Sequence, residues 1–338
     1  MKHRITPLRF IQKNWLLVGI LICILLAGIY PELGSKEGPL RTEYTVKYGA
    51  VFLIFFISGL SLKTEAIFHT FQRHKLHSFI QIFTFIFIPI FTQAFIRIVS
   101  IFRVNVWILK GLITVACMPP PVSSAVILTR AAQGNETAAI FNSILGSFLG
   151  IIITPLLLLF NLGSTTVVPL LDTVIQLLTT VVIPLVLGQG IIKFTSFRGH
   201  TLPLNAVSQC ALLFVIYTTF CDTFLVPESG MSALDVIFTV FSVLILQVIL
   251  MFLSFKFASS MKKHFDAQDI IAIVFCSTHK SLTLGIPILR IMFHGYSHLS
   301  QISLPLLVYH PTQIILGGLM VSQLKDWVHS QRVKRPPV

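Results

Sequence analysis

Apolar segments of about 20 residues recur along the whole chain, separated by short stretches rich in charged residues, glycine or proline. A helix of that length spans the hydrocarbon core of a bilayer, and repeated windows of this kind indicate a polytopic membrane protein. The pattern leaves no room for a large soluble domain. It predicts ten spans, at residues 15–30, 44–62, 76–100, 107–131, 137–160, 172–192, 203–224, 233–256, 269–290 and 299–323.

The spacing of these spans indicates an internal repeat, because spans six to ten follow the spacing of spans one to five. Five spans are an odd number, so the second unit enters the membrane from the side opposite to the first. The expected fold is therefore an all-α membrane protein built from two inverted five-helix repeats, residues 1–165 and 166–338.

The fourth span contains three consecutive prolines, Pro119, Pro120 and Pro121. Proline has no backbone N–H and clashes with the preceding turn of a helix, so we expect this span to be broken there. A second half-helix would then begin near Val122, with the hydroxyls of Ser123 and Ser124 in its first turn. Its positive end would suit an anion, and the free carbonyls before the prolines would suit a cation. A simple proline kink in a packed helix is the alternative.

The ninth span contains polar and helix-breaking residues within an apolar segment. A charge at such a depth costs roughly 2.5–3.5 kcal/mol on insertion scales and usually has a function. We expect half-helices at 269–277 and 284–290, with 278–283 irregular. The polar candidates for binding a substrate or ion are Thr278, His279, Lys280 and Ser281, and the helix breakers are Gly285 and Pro287.

Lys280 is expected just beyond the C-terminal carbonyls of its own half-helix, with its ammonium directed into a hydrated pocket. A lysine that reaches a membrane interface is the alternative. For His279, packing and proton handling stay equally open. Asn142 and Ser143 in the fifth span are further candidates, expected to face the break in the fourth.

Composition and charge narrow the class of protein. The chain is 54% hydrophobic and 11% charged, whereas a soluble domain has about a quarter charged residues. The net charge of +13 comes from basic residues in short loops and does not indicate nucleic-acid binding. These residues gather on one side of the predicted topology, which places both termini in the cytoplasm. The five cysteines show no disulfide or metal-binding spacing, and we expect no cofactor and no enzymatic activity.

Four strings of sequence carry a resemblance to a known family: residues 55–65, 117–128, 217–224 and 275–287. At these residues the chain resembles the sodium/bile acid cotransporter family, and most closely its seventh-member branch. The resemblance covers essentially the whole chain. It implies a panel domain at about 15–62 and 172–224, a core domain at about 76–160 and 233–323, and discontinuous helices four and nine that cross.

The resemblance also implies where the family holds sodium, and the chain departs from that pattern. Ser123, Ser124 and Ser143 match polar sodium ligands, but Ala139 stands where a second hydroxyl is expected. The ninth span has no glutamate and glutamine pair, and Lys280 takes the acidic position. An ammonium there repels sodium across a low-dielectric site, so we expect sodium coupling to be lost.

The leading hypothesis is therefore a secondary transporter of a small organic anion other than bile acid. The coupling ion, Na+ or H+, stays open. The alternative is a non-transporting membrane regulator of calcium entry or Golgi function. The resemblance implies roles in calcium homeostasis and secretory-pathway glycosylation. The implied partners are the lipid bilayer, the small anionic solute and calcium-entry machinery, and the implied locations are Golgi, endoplasmic reticulum or plasma membrane.

Overall fold

The regular elements that the structure describes are helices. A computed structural model of the 338-residue chain describes residues 15–35, 38–61, 73–102, 104–121, 124–162, 175, 178–194, 203–225, 232–293, 296 and 298–333. The helices of the first half are α1 (Trp15–Ile29), α2 (Pro31–Gly34), α3 (Phe52–Ser61), α4 (His74–Phe102), α5 (Val106–Cys117), α6 (Ser124–Ala131) and α7 (Glu136–Leu162).

The regular elements described in the second half are also helices. Its helices are α8 (Ile183–Phe194), α9 (Leu204–Leu225), α10 (Ala233–Ser260), α11 (Ala267–Thr278), α12 (Leu282–Met292) and α13 (Leu299–Val333). Wider π-helical turns precede α3 at Thr45–Val51, interrupt α4 at Phe83–Phe87 and precede α8 at Leu178–Val182.

Five helical stretches of the described chain are long and apolar enough to cross a bilayer: α4, α7, α10, Ala267–Met292 and Leu299–Gln331. Shorter apolar helices lie at Val18–Ile29, Tyr48–Ile57, Val106–Cys117, Ile183–Phe194 and Ala206–Cys221. Each of these elements overlaps one of the ten predicted spans, and several extend beyond the predicted bounds, Leu299–Gln331 by eight residues at its C-terminal end. The ten-span count and the inverted repeat stay predictions.

The chain forms two compact units. The first consists of Met1–Leu62, Val168–Gly230 and Ile286–Ser300, and the second of Lys63–Val167, Met231–Gly285 and Gln301–Val338. In the first unit, α3 and α8 approach closely at Gly59 and Gly188, where a Cβ on either glycine would overlap the backbone of the other helix. Small residues allow such close helix contacts in membranes.

In the second unit, α11 lies at the centre and its residues from Asp269 to Thr278 are buried. Its first turn is held by a carboxylate network. The Arg73 guanidinium donates to Asp269 at 2.5 Å, and the Asn135 amide donates to the same carboxylate oxygen at 2.7 Å. The start of α4 and the loop between α6 and α7 are thereby tied to the start of α11.

The break in the ninth span is shorter than expected. Helix α11 continues through Thr278 and α12 begins at Leu282, so only residues 279–281 are non-helical. The prediction that Gly285 and Pro287 break the helix was wrong, because both lie inside α12. Pro287 lacks a single N–H near the start of α12, a loss that membrane helices tolerate.

Gly285 serves close packing instead. A Cβ at this position would lie 2.5 Å from a methyl of Leu306 and 3.0 Å from the sulfur of Met118. A glycine at position 285 is therefore explained by its close packing against α13 and against Met118, which follows α5.

The fourth span is interrupted by a non-helical stretch at residues 118–121, which includes Pro119, Pro120 and Pro121. Two of these prolines pack on glycines of α7: a Cβ on Gly146 would lie 2.6 Å from Pro120 Cδ, and one on Gly150 would lie 2.5 Å from Pro119 Cβ. The glycines are one turn apart, so they present one small-residue face to the proline run.

Candidate functional site

The proline run removes the usual donors from the end of α5. In a continuous helix, the carbonyls of Val115, Ala116 and Cys117 would accept from the N–H groups of residues 119, 120 and 121. All three of those residues are prolines, which have no N–H. The Met118 N–H donates to the Val115 carbonyl at 3.1 Å. The carbonyls of Ala116 and Cys117 need donors from elsewhere in the fold, because a buried carbonyl without a partner is costly.

Lys280 supplies one of these donors. Its ammonium donates to the Ala116 carbonyl and to the Met118 carbonyl, both at 2.9 Å, and to the Thr84 carbonyl at 3.3 Å. The three N–H bonds of the ammonium thus have three acceptors. Lys280 is 0% exposed. We call the carbonyl oxygens of Thr84, Ala116 and Met118 the carbonyl site.

The Thr84 carbonyl is available for the same physical reason. Thr84 lies in the π-helical turn Phe83–Phe87, where the Ile88 N–H donates to Phe83. The following residue, Pro89, has no N–H to offer. Pro89 therefore leaves the Thr84 carbonyl of α4 without a backbone donor, and the Lys280 ammonium donates to it.

Two further groups complete the end of α5. The Thr154 hydroxyl of α7 donates to the Cys117 carbonyl at 2.8 Å. The Ser281 N–H donates to the Pro119 carbonyl at 2.8 Å. The two interrupted spans are thus joined directly, backbone to backbone, at their non-helical residues.

Helix α13 holds the break of the ninth span. The Lys280 N–H donates to Gln313 Oε1 at 2.7 Å, and Gln313 Nε2 donates to the Lys280 carbonyl at 3.0 Å. The Tyr309 hydroxyl donates to the Thr278 carbonyl at 2.7 Å. Tyr309 and Gln313 are one turn apart, so one face of α13 satisfies backbone groups before the break and within it.

The electrostatics of this arrangement are those of a cation at a helix C-terminus. The last carbonyls of α5 carry partial negative charge, which stabilises the ammonium without a carboxylate. Two expectations for Lys280 were wrong. The ammonium binds the end of α5 rather than the end of its own half-helix, because the prolines leave acceptors there. It is buried against those carbonyls and does not enter a hydrated pocket.

Of the other predicted residues, Ser124 and His279 come together. Ser124 is the first residue of α6, and its hydroxyl lies 3.5 Å from His279 Nδ1. The other ring nitrogen of His279, Nε2, is buried and has no hydrogen-bond partner among the described residues. Ser123 lies outside the described residues.

Asn142, Ser143 and Thr278 have side-chain hydrogen-bond partners that lie outside the two breaks. The Asn142 amide donates to the Ala138 carbonyl at 2.8 Å and contacts His77 Nδ1 at 2.9 Å. Ser143 contacts the Cys276 thiol at 3.9 Å, and the Thr278 hydroxyl bonds within its own helix. The structure thus does not bring Asn142 into hydrogen-bond contact with any described residue of the two breaks.

Sequence reasoning missed Thr84 and Thr154, since neither stands near a break in the sequence. Pro89 is the one signal that marks the Thr84 carbonyl, and it becomes meaningful only once the π turn is known. Gln313 was visible as a polar residue in the tenth span, although nothing in the sequence pairs it with Lys280.

Residues 14–326 match the SBF-like CPA transporter family. The chain belongs to this family. It is 50% identical to sodium/bile acid cotransporter 7-B of Xenopus laevis, covering 95% of this chain and 94% of the relative. It is 49% identical to sodium/bile acid cotransporter 7 of Rattus norvegicus, covering 97% and 98%. It is 26% identical to solute carrier RCH1 of Candida albicans, covering 95% and 90%.

Membership in the SBF-like CPA transporter family confirms the resemblance found in the sequence. It also establishes the coarse assignment: a multi-pass membrane protein of a transporter family that resides in the lipid bilayer and acts on a small solute. In this family member the third and fourth spans supply the carbonyl site, and the ninth span supplies the ammonium that donates to it.

Proposed function

We propose that this protein is a secondary transporter of a small organic anion that works without sodium, with the Lys280 ammonium as a permanent resident cation. One observation carries the proposal: the ammonium donates to the Ala116 and Met118 carbonyls, each at 2.9 Å, at full burial. A cation held there by a covalent tether does not leave during a transport cycle. A free sodium ion near it would meet Coulomb repulsion in a medium of low dielectric constant.

The broader architecture of the proposal is ten spans in two inverted repeats, with helices four and nine crossing. The compact unit that contains Lys63–Val167 would be the core, and the unit that contains Met1–Leu62 would be the panel. The direct bond between Ser281 N–H and the Pro119 carbonyl supports a crossing of the two interrupted helices.

An anion would bind at the half-helix starts rather than at Lys280. Helix α6 begins at Ser124 and α12 begins at Leu282, and the start of a helix carries partial positive charge. His279 Nε2, for which the described part of the chain offers no hydrogen-bond partner, supports a polar solute near Ser124. Bile acid is not proposed as the solute.

The saturation of Lys280 favours a second candidate, a non-transporting regulator of calcium entry or Golgi function. All three ammonium hydrogens have carbonyl acceptors, so the charge is not free to bind a solute. The interrupted helices would then serve as a fixed scaffold. We propose that the protein resides in the Golgi, the endoplasmic reticulum or the plasma membrane.

Reconstituted liposomes test the two candidates. Purified full-length protein would be screened by thermal shift against small carboxylates, sulfates and phosphates, and stabilising anions would be radiolabelled for uptake. We expect uptake of at least one anion, at the same rate in sodium chloride and in choline chloride. Uptake that requires sodium would contradict the proposal.

Lys280→Met separates transport from regulation. If the variant is folded and abolishes both uptake and any effect on cellular calcium entry, transport is the function. If calcium entry responds equally to the wild-type protein and to the uptake-deficient variant, the regulator is the function.

A further inference from the structure

The break of the ninth span requires partners for the backbone of residue 280, and Gln313 provides both. Its Oε1 accepts from the Lys280 N–H at 2.7 Å, and its Nε2 donates to the Lys280 carbonyl at 3.0 Å. Gln313 is 0% exposed. This two-bond pairing is the one that a neighbouring peptide unit would make in a sheet, here made by a side chain.

The pairing fixes the orientation of the amide. Because Oε1 accepts from the Lys280 N–H, the nitrogen must face the Lys280 carbonyl and also His310 Nδ1, which lies 3.2 Å away. An amide nitrogen only donates, so His310 Nδ1 accepts and the neutral imidazole carries its proton on Nε2. Both hydrogens of Gln313 are therefore used, one by Lys280 and one by His310.

The backbone at residue 280 sets where the lysine side chain starts and which way it points. The hydrogen bonds of Gln313 go to the Lys280 backbone and to His310, whereas the ammonium donates to the carbonyl site. The ammonium therefore reaches that site from a backbone that Gln313 holds. We propose that Gln313 is the positioning residue of the proposed transport site, and that its amide keeps the Lys280 ammonium on the Ala116 and Met118 carbonyls. The inference rests on the proposed function, because it assigns a role in the proposed site. Its structural evidence is the set of hydrogen bonds that Gln313 makes.

The titratable groups around this amide are few in the described chain. Lys280 and His279 lie in the break, Tyr309 and His310 lie on α13, and the Cys117 and Cys276 thiols are near the break. None is a carboxyl. Gln313→Glu would therefore introduce a carboxyl whose protonation state decides whether a donor faces the Lys280 carbonyl.

Hydrogen–deuterium exchange of the full-length protein in detergent tests the proposal. Gln313→Leu removes both bonds to residue 280, and we expect the amides of residues 279–281 to exchange about 10- to 100-fold faster. Lys280, protected in the wild-type protein, would become reactive toward an amine-acylating reagent. His310→Leu keeps both bonds and should raise exchange less than Gln313→Leu. Gln323→Glu, an exposed glutamine of the same helix, is the control and should change neither readout.

Gln313→Glu keeps the test decisive if Gln313→Leu does not fold. We expect residues 279–281 to be better protected at pH 5, where a protonated carboxyl donates again, than at pH 8, after normalisation to Gln323→Glu at each pH. Equal protection at both pH values, or an unreactive Lys280 in folded Gln313→Leu, would overturn the inference. Sodium-dependent uptake by the wild-type protein would instead contradict the proposed function and leave the role of Gln313 standing.

Discussion

Lys280 Nζ lies 2.9 Å from the carbonyl oxygen of Ala116, the acceptor whose helical donor would have been residue 120, a proline. A lysine from one interrupted span thus completes the hydrogen bonding of another. The same ammonium binds the Thr84 carbonyl, which Pro89 deprives of a donor. Prolines leave these carbonyls without backbone donors, and the Lys280 ammonium donates to them.

Lys280→Met tests the stabilising role of this cation. The variant leaves the Ala116 and Met118 carbonyls without a donor, and each unsatisfied buried group costs about 1–3 kcal/mol. We expect a lower midpoint of thermal unfolding in detergent. Lys256→Met, at an exposed position of α10, is the matched control and should leave the midpoint unchanged. Equal midpoints for the two variants would argue against the assignment.

Thr154→Val removes one hydroxyl with little change in shape. Because the Cys117 carbonyl then loses its donor from α7, we expect a loss of about 1–2 kcal/mol in the free energy of unfolding. Thr129→Val is the control, since the Thr129 hydroxyl donates to the Ala125 carbonyl in its own helix at 2.7 Å. A loss of similar size in both variants would show that the contact with α5 is unimportant.

Gly150→Ala tests the packing of the proline run. The added methyl would lie 2.5 Å from Pro119 Cβ, so α7 must move away, at a cost of about 1–3 kcal/mol. Gly318→Ala on α13 has open space around the new methyl and is expected to be neutral or slightly stabilising. Denaturation by urea in mixed detergent micelles measures both. A neutral Gly150→Ala would mean that α7 and the proline run are not in contact.

Asp269→Ala tests the network at the start of α11. The Asp269 carboxylate is buried and accepts from Arg73 and Asn135, so we expect a loss of about 2 kcal/mol and faster exchange of the first amides of α11. Glu136→Ala removes an ion pair with the exposed Arg130, and no measurable loss is expected. Equal stability of both variants would contradict the network.

The sequence predicted the part of this site that depends on residue type. Three consecutive prolines in one span and a lysine in another are visible without a structure, and both mark the observed site. The prolines also mark the carbonyls at the end of α5 that lose their helical donors, but the sequence does not show which side chain supplies the missing donor. The choice of Ala116, Met118 and Thr84 as acceptors depends on how α4, α5 and the ninth span pack, which spacing along the chain does not encode.

The errors have the same physical origin. Gly285 and Pro287 break helices on average, yet here the interruption ends before them, since the partners supplied by Gln313 and Tyr309 fix the break at residues 279–281. The direction of the Lys280 side chain was wrong because the competing acceptors lie more than 160 residues away in the sequence.

Chemical rescue of Lys280→Ala by methylammonium is the most direct measurement of whether the carbonyl site is a cation site. The thermal midpoint of the variant would be followed during titration with methylammonium and with tetramethylammonium, which has the same charge but no N–H donor. We expect a saturable rise with methylammonium, none with tetramethylammonium, and no response of the wild-type protein, whose site is filled. Identical responses of variant and wild type, or equal stabilisation by both cations, would contradict the claim that the Lys280 ammonium occupies this site.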